Sequence, residues 1–91
     1  MAESILEVIG CVTAFFVTPS SAVIALTAPL TVGEFIWIKG HTTEFQQRVM
    51  SMQIQHRPVE EVSAGQVVGL KTIARCRKHD VVYRLATRSI S

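Results

Sequence analysis

Residues 30–40 read LTVGEFIWIKG, and this stretch decides the fold. Side chains of an extended strand alternate between its two faces. Ile36 and Ile38 therefore share one side, and Phe35, Trp37 and Lys39 share the other. Gly33 and Gly40 bracket the run, and glycine accepts the backbone angles of tight turns. The spacing predicts a strand over 34–39, with Leu30, Ile36 and Ile38 aimed into a core.

The same punctuation recurs on both sides. Short β-branched runs separated by turn residues predict strands over 6–17, 22–27, 45–54, 66–72 and 81–86. Gly10 is placed for a bend in the first. Thr18-Pro19-Ser20-Ser21 is a turn, because proline presets φ and serines bond back to the local backbone. In the second strand Ala22, Ile24 and Leu26 share a face. In the fourth, Val49 and Met52 both suit the core but lie three positions apart. A bulge at Met50-Ser51 reconciles them. Arg57-Pro58-Val59-Glu60-Glu61 reads as an exposed polar connection, Lys78-His79-Asp80 as a hairpin turn, and 87–91 as a frayed end. No amphipathic helix longer than two turns is visible. The expectation is all-β: a small closed or nearly closed six-stranded antiparallel Greek-key β-barrel. Closure removes exposed sheet edges. Val49 and Val68 join Leu30, Ile36 and Ile38 as leading core residues.

Ninety-one residues suffice for one domain, 1–91, with its core within about 6–86. Apolar residues make up 48% and charged residues 18%, which excludes a disordered chain. Residues 8–33 carry no charge, a length that could span a bilayer. Six serines and threonines, and breaks at Pro19 and Pro29, argue for strands instead. Two cysteines without a C-x-x-C spacing predict buried thiols in a reducing, cytoplasmic setting, although a Cys11–Cys76 bridge stays open if their strands are neighbours.

Further pieces, in order, carry a resemblance. Residues 30–36 match L-x-V-G-D/E-x-I/V. Ile38-Lys39-Gly40-His41-Thr42-Thr43 is similar to an I-x-G-x-T-T turn. Arg48-Val49-Met50-Ser51-Met52-Gln53 is similar to a V-x-S-I/M strand, and 64–70 to A-G-D-x-V-G-I. Together they resemble domain 2, the β-barrel of elongation factor Tu-like translation GTPases, carried here without the GTPase domain. The phosphate loop G-x-x-x-x-G-K-[ST] is absent, so the resemblance implies no GTP binding and no cofactor. The family's early G-R-G-T-V-x-x-G segment is also missing. No tRNA- or ribosome-contacting residue is therefore carried over.

Catalysis calls for a base beside a nucleophile or a tuned carboxylate pair. Glu60-Glu61 read as a solvated connection. His41, His56 and His79 sit in separate turns without ligand spacing. The expectation is no enzyme and no metal. Two binding candidates remain. Residues 1–70 hold three basic groups and six acids, −3, whereas 71–91 hold six basic groups and one acid, +5. Lys71, Arg75, Arg77, Lys78 and Arg84 would flank the final hairpin as a nucleic-acid contact, with an edge strand guarded by charge as the plainer reading. Phe35, Trp37 and Lys39 would face outward for a protein partner or base stacking, unless residues such as Ile5-Leu6 or those near Val59 cover them. The leading function reading is a non-catalytic RNA- or translation-associated binding module, its partner an RNA or ribosome-associated factor. The alternative is a protein-interaction or accessory module of a collagenase-like peptidase system, a resemblance carried by the same barrel. Neither involves a membrane.

Overall fold

The computed structural model describes residues 2–18 and 20–89, and among them only strands, turns and irregular segments occur. The strands are β1 (Ala2–Phe16), β2 (Ser21–Leu26), β3 (Leu30–Thr31), β4 (Phe35–Lys39), β5 (Glu44–Arg48), β6 (Met52–Ile54), β7 (Arg57–Val59), β8 (Glu61–Val62), β9 (Val67–Lys71) and β10 (Val81–Ser89). Eight form one antiparallel sheet in the order β5-β4-β10-β1-β2-β9-β6-β7, and β3 pairs with β8.

β1 is the axis of the sheet. Its first part pairs with β10 and its second with β2. One extra residue, Ile9, breaks the register with β10 between Val8 and Gly10, and Thr13 does the same opposite β2 between Val12 and Ala14. Each bulge reverses which parity of residue faces inward. Val8 is thus exposed while Ile9 and Val12 are buried. Gly10 permits the bend, since a Cβ there would lie 2.6 Å from the Ala25 carbonyl oxygen.

The core forms on the inner faces. Ala22, Ile24 and Leu26 of β2, Ile36 and Ile38 of β4, Val68 and Leu70 of β9 and Val82 of β10 are buried with Leu30, Val49 and Met52. Each fully buried Val, Ile or Leu side chain contributes about 1.5–3 kcal/mol over its exposed state. Alternation places Ala22, Ile24, Leu26, Ile36 and Ile38 as the sequence predicts, and the expected Leu30, Val49, Met52 and Val68 are buried too.

Closure differs from expectation. The predicted strand 45–54 divides into β5 and β6, and Val49-Met50-Ser51 carries the chain between near-opposite ends of the sheet. Val49 donates to the Glu34 carbonyl and accepts from the Gly33 N–H, both at 2.8 Å, so it is buried without belonging to a strand. The terminal strands β5 and β7 do not pair, so the sheet is open rather than a closed six-stranded barrel. The buried Gln47 side chain crosses part of the gap. Its Nε2 donates to the Lys71 carbonyl at 2.9 Å, and its Oε1 accepts from the Ile73 N–H at 2.8 Å.

Other corrections concern connections. The segment 57–61, read as an exposed polar connection, is exposed at every residue but the half-buried Val59, yet it forms β7 and the first residue of β8. β10 continues to Ser89 along β1, where fraying was expected from Thr87; Ile90, Ser91 and the Pro19 of the first turn lie outside the described residues. Residues 78–80 turn but join no hairpin, because β9 pairs with β2 and β6 whereas β10 pairs with β1 and β4. The turn docks on β1 instead. His79 N–H donates to the Val12 carbonyl and Val12 N–H to the Asp80 carbonyl, each at 2.8 Å. The Asp80 carboxylate packs on Gly40, where a Cβ would sit 1.9 Å from Oδ1. Gly40→Ala must displace this buried carboxylate. The expected loss is about 2–4 kcal/mol of unfolding free energy, read from urea denaturation, with an unchanged midpoint excluding the contact.

Candidate functional site

The basic residues do not converge. Lys71 ends β9, while Arg75, Arg77 and Lys78 are exposed along the irregular segment that precedes β10. Arg84 lies in β10, where its cross-strand neighbours are Glu7 and Ile36. It therefore does not stand across a ladder from Arg75 or Arg77, as a hairpin would have required.

Arg84 is also occupied. Its Nη2 donates to Glu7 Oε1 at 2.5 Å, and its Nη1 to the Pro29 carbonyl at 2.6 Å and to Glu34 Oε1 at 3.2 Å. Glu34 in turn accepts from the Thr31 N–H at 2.7 Å. Partial burial disfavours the guanidinium charge. The hydrogen bond to Glu7, the charges of Glu34 and Glu7, and the bond to Glu34 outweigh it, so the pKa moves up. This group ties β1, β10 and the turn before β4 together, a structural task for a residue read as a nucleic-acid contact.

The segment 72–80 hides one chemical group. Cys76 is buried and its thiol is pushed up from 9.0 to about 11 by desolvation, then by the Asp80 carboxylate. Cys11, expected to be buried, is exposed, and both thiols are free. His41, His56 and His79 occupy separate turns. Among the described residues no group of three His, Cys, Asp or Glu side chains could hold a metal ion.

The aromatic candidates belong to a larger surface. Trp37 stands opposite Tyr83 in β10, which stands opposite Val8 in β1. Lys39 faces Val81, and Leu85 faces Leu6. Phe35 lies beside this row with Arg48 of β5 over its ring at 5.9 Å from the centroid. Trp37 and Lys39 are half-buried, while Phe35 is 37%, Leu6 41%, Leu85 47% and Val8 53% exposed. Leu6 extends the patch rather than covering it. These side chains adjoin across β4, β10 and β1, so the outer face of these strands is largely apolar. Alternation in β4 made Phe35 and Trp37 legible. Val8, Tyr83 and Leu85 were missed because their place beside Trp37 depends on non-local pairing.

Comparison with known proteins bears on kinship. No protein-family model matches the chain. A protein named as an uncharacterised protease of Methanocaldococcus jannaschii is 41% identical over 78 residues, 85% of this chain. The match spans only 19% of that relative's length. Two crystal structures of the C-terminal domain of a Geobacillus thermoleovorans protein described as a U32 peptidase share the fold. One, a selenomethionine variant, superimposes with a TM-score of 0.81 over 86% of this chain and 99% of that chain; the other scores 0.80 over 88% and 92%. Both are 14% identical. These matches overturn the resemblance to domain 2 of elongation factor Tu, whose short signatures follow the turns and inward positions of such a frame. The RNA-binding and translation-associated readings that rested on it fall with it.

Two outcomes follow from the chemistry above. Arg84→Met removes the guanidinium from two carboxylates and a carbonyl, and is expected to cost about 1–2 kcal/mol in urea denaturation. A thiol that holds its proton more tightly when folded adds stability below pH 9, and this is lost as pH rises from 9.0 through about 11. Wild type should therefore lose on the order of 2 kcal/mol more than Cys76→Val between about pH 8 and about pH 11; parallel pH profiles would refute the shift.

Proposed function

We propose that this chain is a non-catalytic protein-interaction module that serves a peptidase. The observation that carries this reading is the 41% identity, over most of the chain, to a segment forming a fifth of a protein named as a protease. The shared fold with the C-terminal domain of a protein described as a U32 peptidase supports it. Both favour the accessory role in a collagenase-like peptidase system over the RNA-associated one. We read the frame as barrel-like, its seam bridged by the 49–51 corner and the Gln47 amide rather than by a backbone ladder. A partner then docks on the apolar face around Trp37, with Phe35, Val8 and Leu85 excluding water around it and Lys39 at the rim. Aromatic side chains in such a patch supply much of the binding energy of protein contacts. The role requires neither GTP nor a cofactor. Among the described residues no helix is long and apolar enough to cross a membrane.

The test uses the Methanocaldococcus protease with its matching segment removed, titrated calorimetrically with this chain in trans. The expected result is binding that Trp37→Ala weakens about tenfold or more, while joint reversal of Arg75 and Arg77 to Glu leaves it unchanged. Absence of binding, or binding indifferent to Trp37, overturns the proposal.

A further inference from the structure

Four of the five glycines have a reason in the fold. Gly33 and Gly65 adopt positive φ angles of 99° and 89°. Gly10 and Gly40 leave no room for a Cβ beside Ala25 and Asp80. Gly69 has neither reason. Its φ is not positive, and a Cβ there would meet only the Gln53 carbonyl oxygen at 3.7 Å, an ordinary contact. Glycine inside a strand nevertheless costs about 0.5–1 kcal/mol relative to alanine. Packing does not account for this choice.

The reverse choice stands nearby. The two-residue turn between β6 and β7 places Gln55 and His56 at φ of 51° and 65°. Hairpin turns of this hand favour Asn-Gly, because larger side chains are strained at positive φ. Glycine is thus found where a side chain would stabilise, and side chains where glycine would. Departures from local preference that folding does not explain point to a functional surface.

Both departures line one groove. Two hollows, of about 490 Å³ and about 250 Å³, meet over Gly69 and share Ser21 and Gln53. The larger has an apolar end at Phe16, Val23 and Val67, with Gln55 and His56 on its rim. The smaller has a polar end at Ser20, Ser51 and Lys71. Val67, Gly69 and Lys71 alternate along the outer face of β9, so the trough runs for roughly 13 Å, the span of four residues of extended chain. No acidic side chain lines either hollow. Lys71 makes no ion pair among the described residues. The complementary occupant is narrow and extended, apolar at one end and anionic at the other.

We infer that this groove over Gly69 binds an extended polypeptide segment, seating an apolar residue against Phe16 and Val67 and an acidic residue four positions away, on the same face of the extended chain, against Lys71. This deepens the proposed function and rests on it: the groove holds an unfolded stretch of the partner, on a surface separate from the Trp37 face.

The probe is a fluorescein-labelled octapeptide with Phe and Glu four positions apart, compared by fluorescence anisotropy with its Glu-to-Lys counterpart. The full chain should bind the Glu peptide at least tenfold more tightly. Gly69→Val should reduce that binding at least tenfold while the melting temperature holds or rises. Lys71→Glu should reverse the preference between peptides, and Trp37→Ala should change neither. Amide shifts on titration should concentrate at 53–56 and 67–71. If Gly69→Val fails to fold, Gly69→Ala takes its place, with a loss of about threefold expected. Equal binding of both peptides, or undiminished binding by a folded Gly69 variant, overturns the inference. So does a groove that takes only a uridine octamer or a second copy of the chain. Loss of the peptide effects alone, with Trp37-dependent capture of the protease intact, removes the groove and leaves the proposed function standing.

Discussion

The two bulges of β1 are the constraint on which the rest of the structure depends. A regular strand of this length would show one face of alternate residues throughout. Val8 and Val12 are both even-numbered, yet one is exposed and the other buried, because Ile9 is inserted between them. The insertion lets one strand serve two partners: β10 along its first part and β2 along its second. It also explains why the chain can bury Ile9 and Val12 while keeping Leu6 and Val8 beside Tyr83 and Leu85 on the outside. The core and the outer apolar face are thus set by the same local irregularity.

Some of the chain's charges hold this arrangement together. Arg84 gathers Glu7, Glu34 and the Pro29 carbonyl at the end of the sheet. Asp80 anchors the segment before β10 by accepting from the Arg77 N–H at 2.8 Å and by lying against Gly40. A partly buried guanidinium between two carboxylates is satisfied internally and offers little to a phosphate backbone. Within the basic stretch Arg84 has this structural task, while the side chains of Lys71, Arg75, Arg77 and Lys78 stay exposed.

The legible part of the fold was local. Alternation across Ile36 and Ile38, and across Ala22, Ile24 and Leu26, identifies core positions because strand periodicity does not depend on partners. The need to bury both Val49 and Met52 locates the corner between them, although the chain breaks the strand there instead of bulging it. What was not legible is non-local. Nothing near Lys78-His79-Asp80 shows that its flanking segments pair elsewhere, so Arg75, Arg77 and Arg84 appeared to form one cluster. Short signatures such as 30–36 and 64–70 record turn geometry and inward positions, which different families on a similar frame can share. The surface around Trp37 was half visible, from β4 alone. The exceptional status of Gly69 could be judged only once the space around every glycine was known.

The Gln47 bridge between β5 and the end of β9 has an evolutionary consequence. Paired backbones tolerate nearly any substitution short of proline, because every other amino acid brings the same amide. Where a single carboxamide spans the gap, the join becomes a property of one codon. Lineages that keep glutamine there inherit a cinched edge. Those that drift to a shorter or charged residue must find another clasp or accept a looser domain.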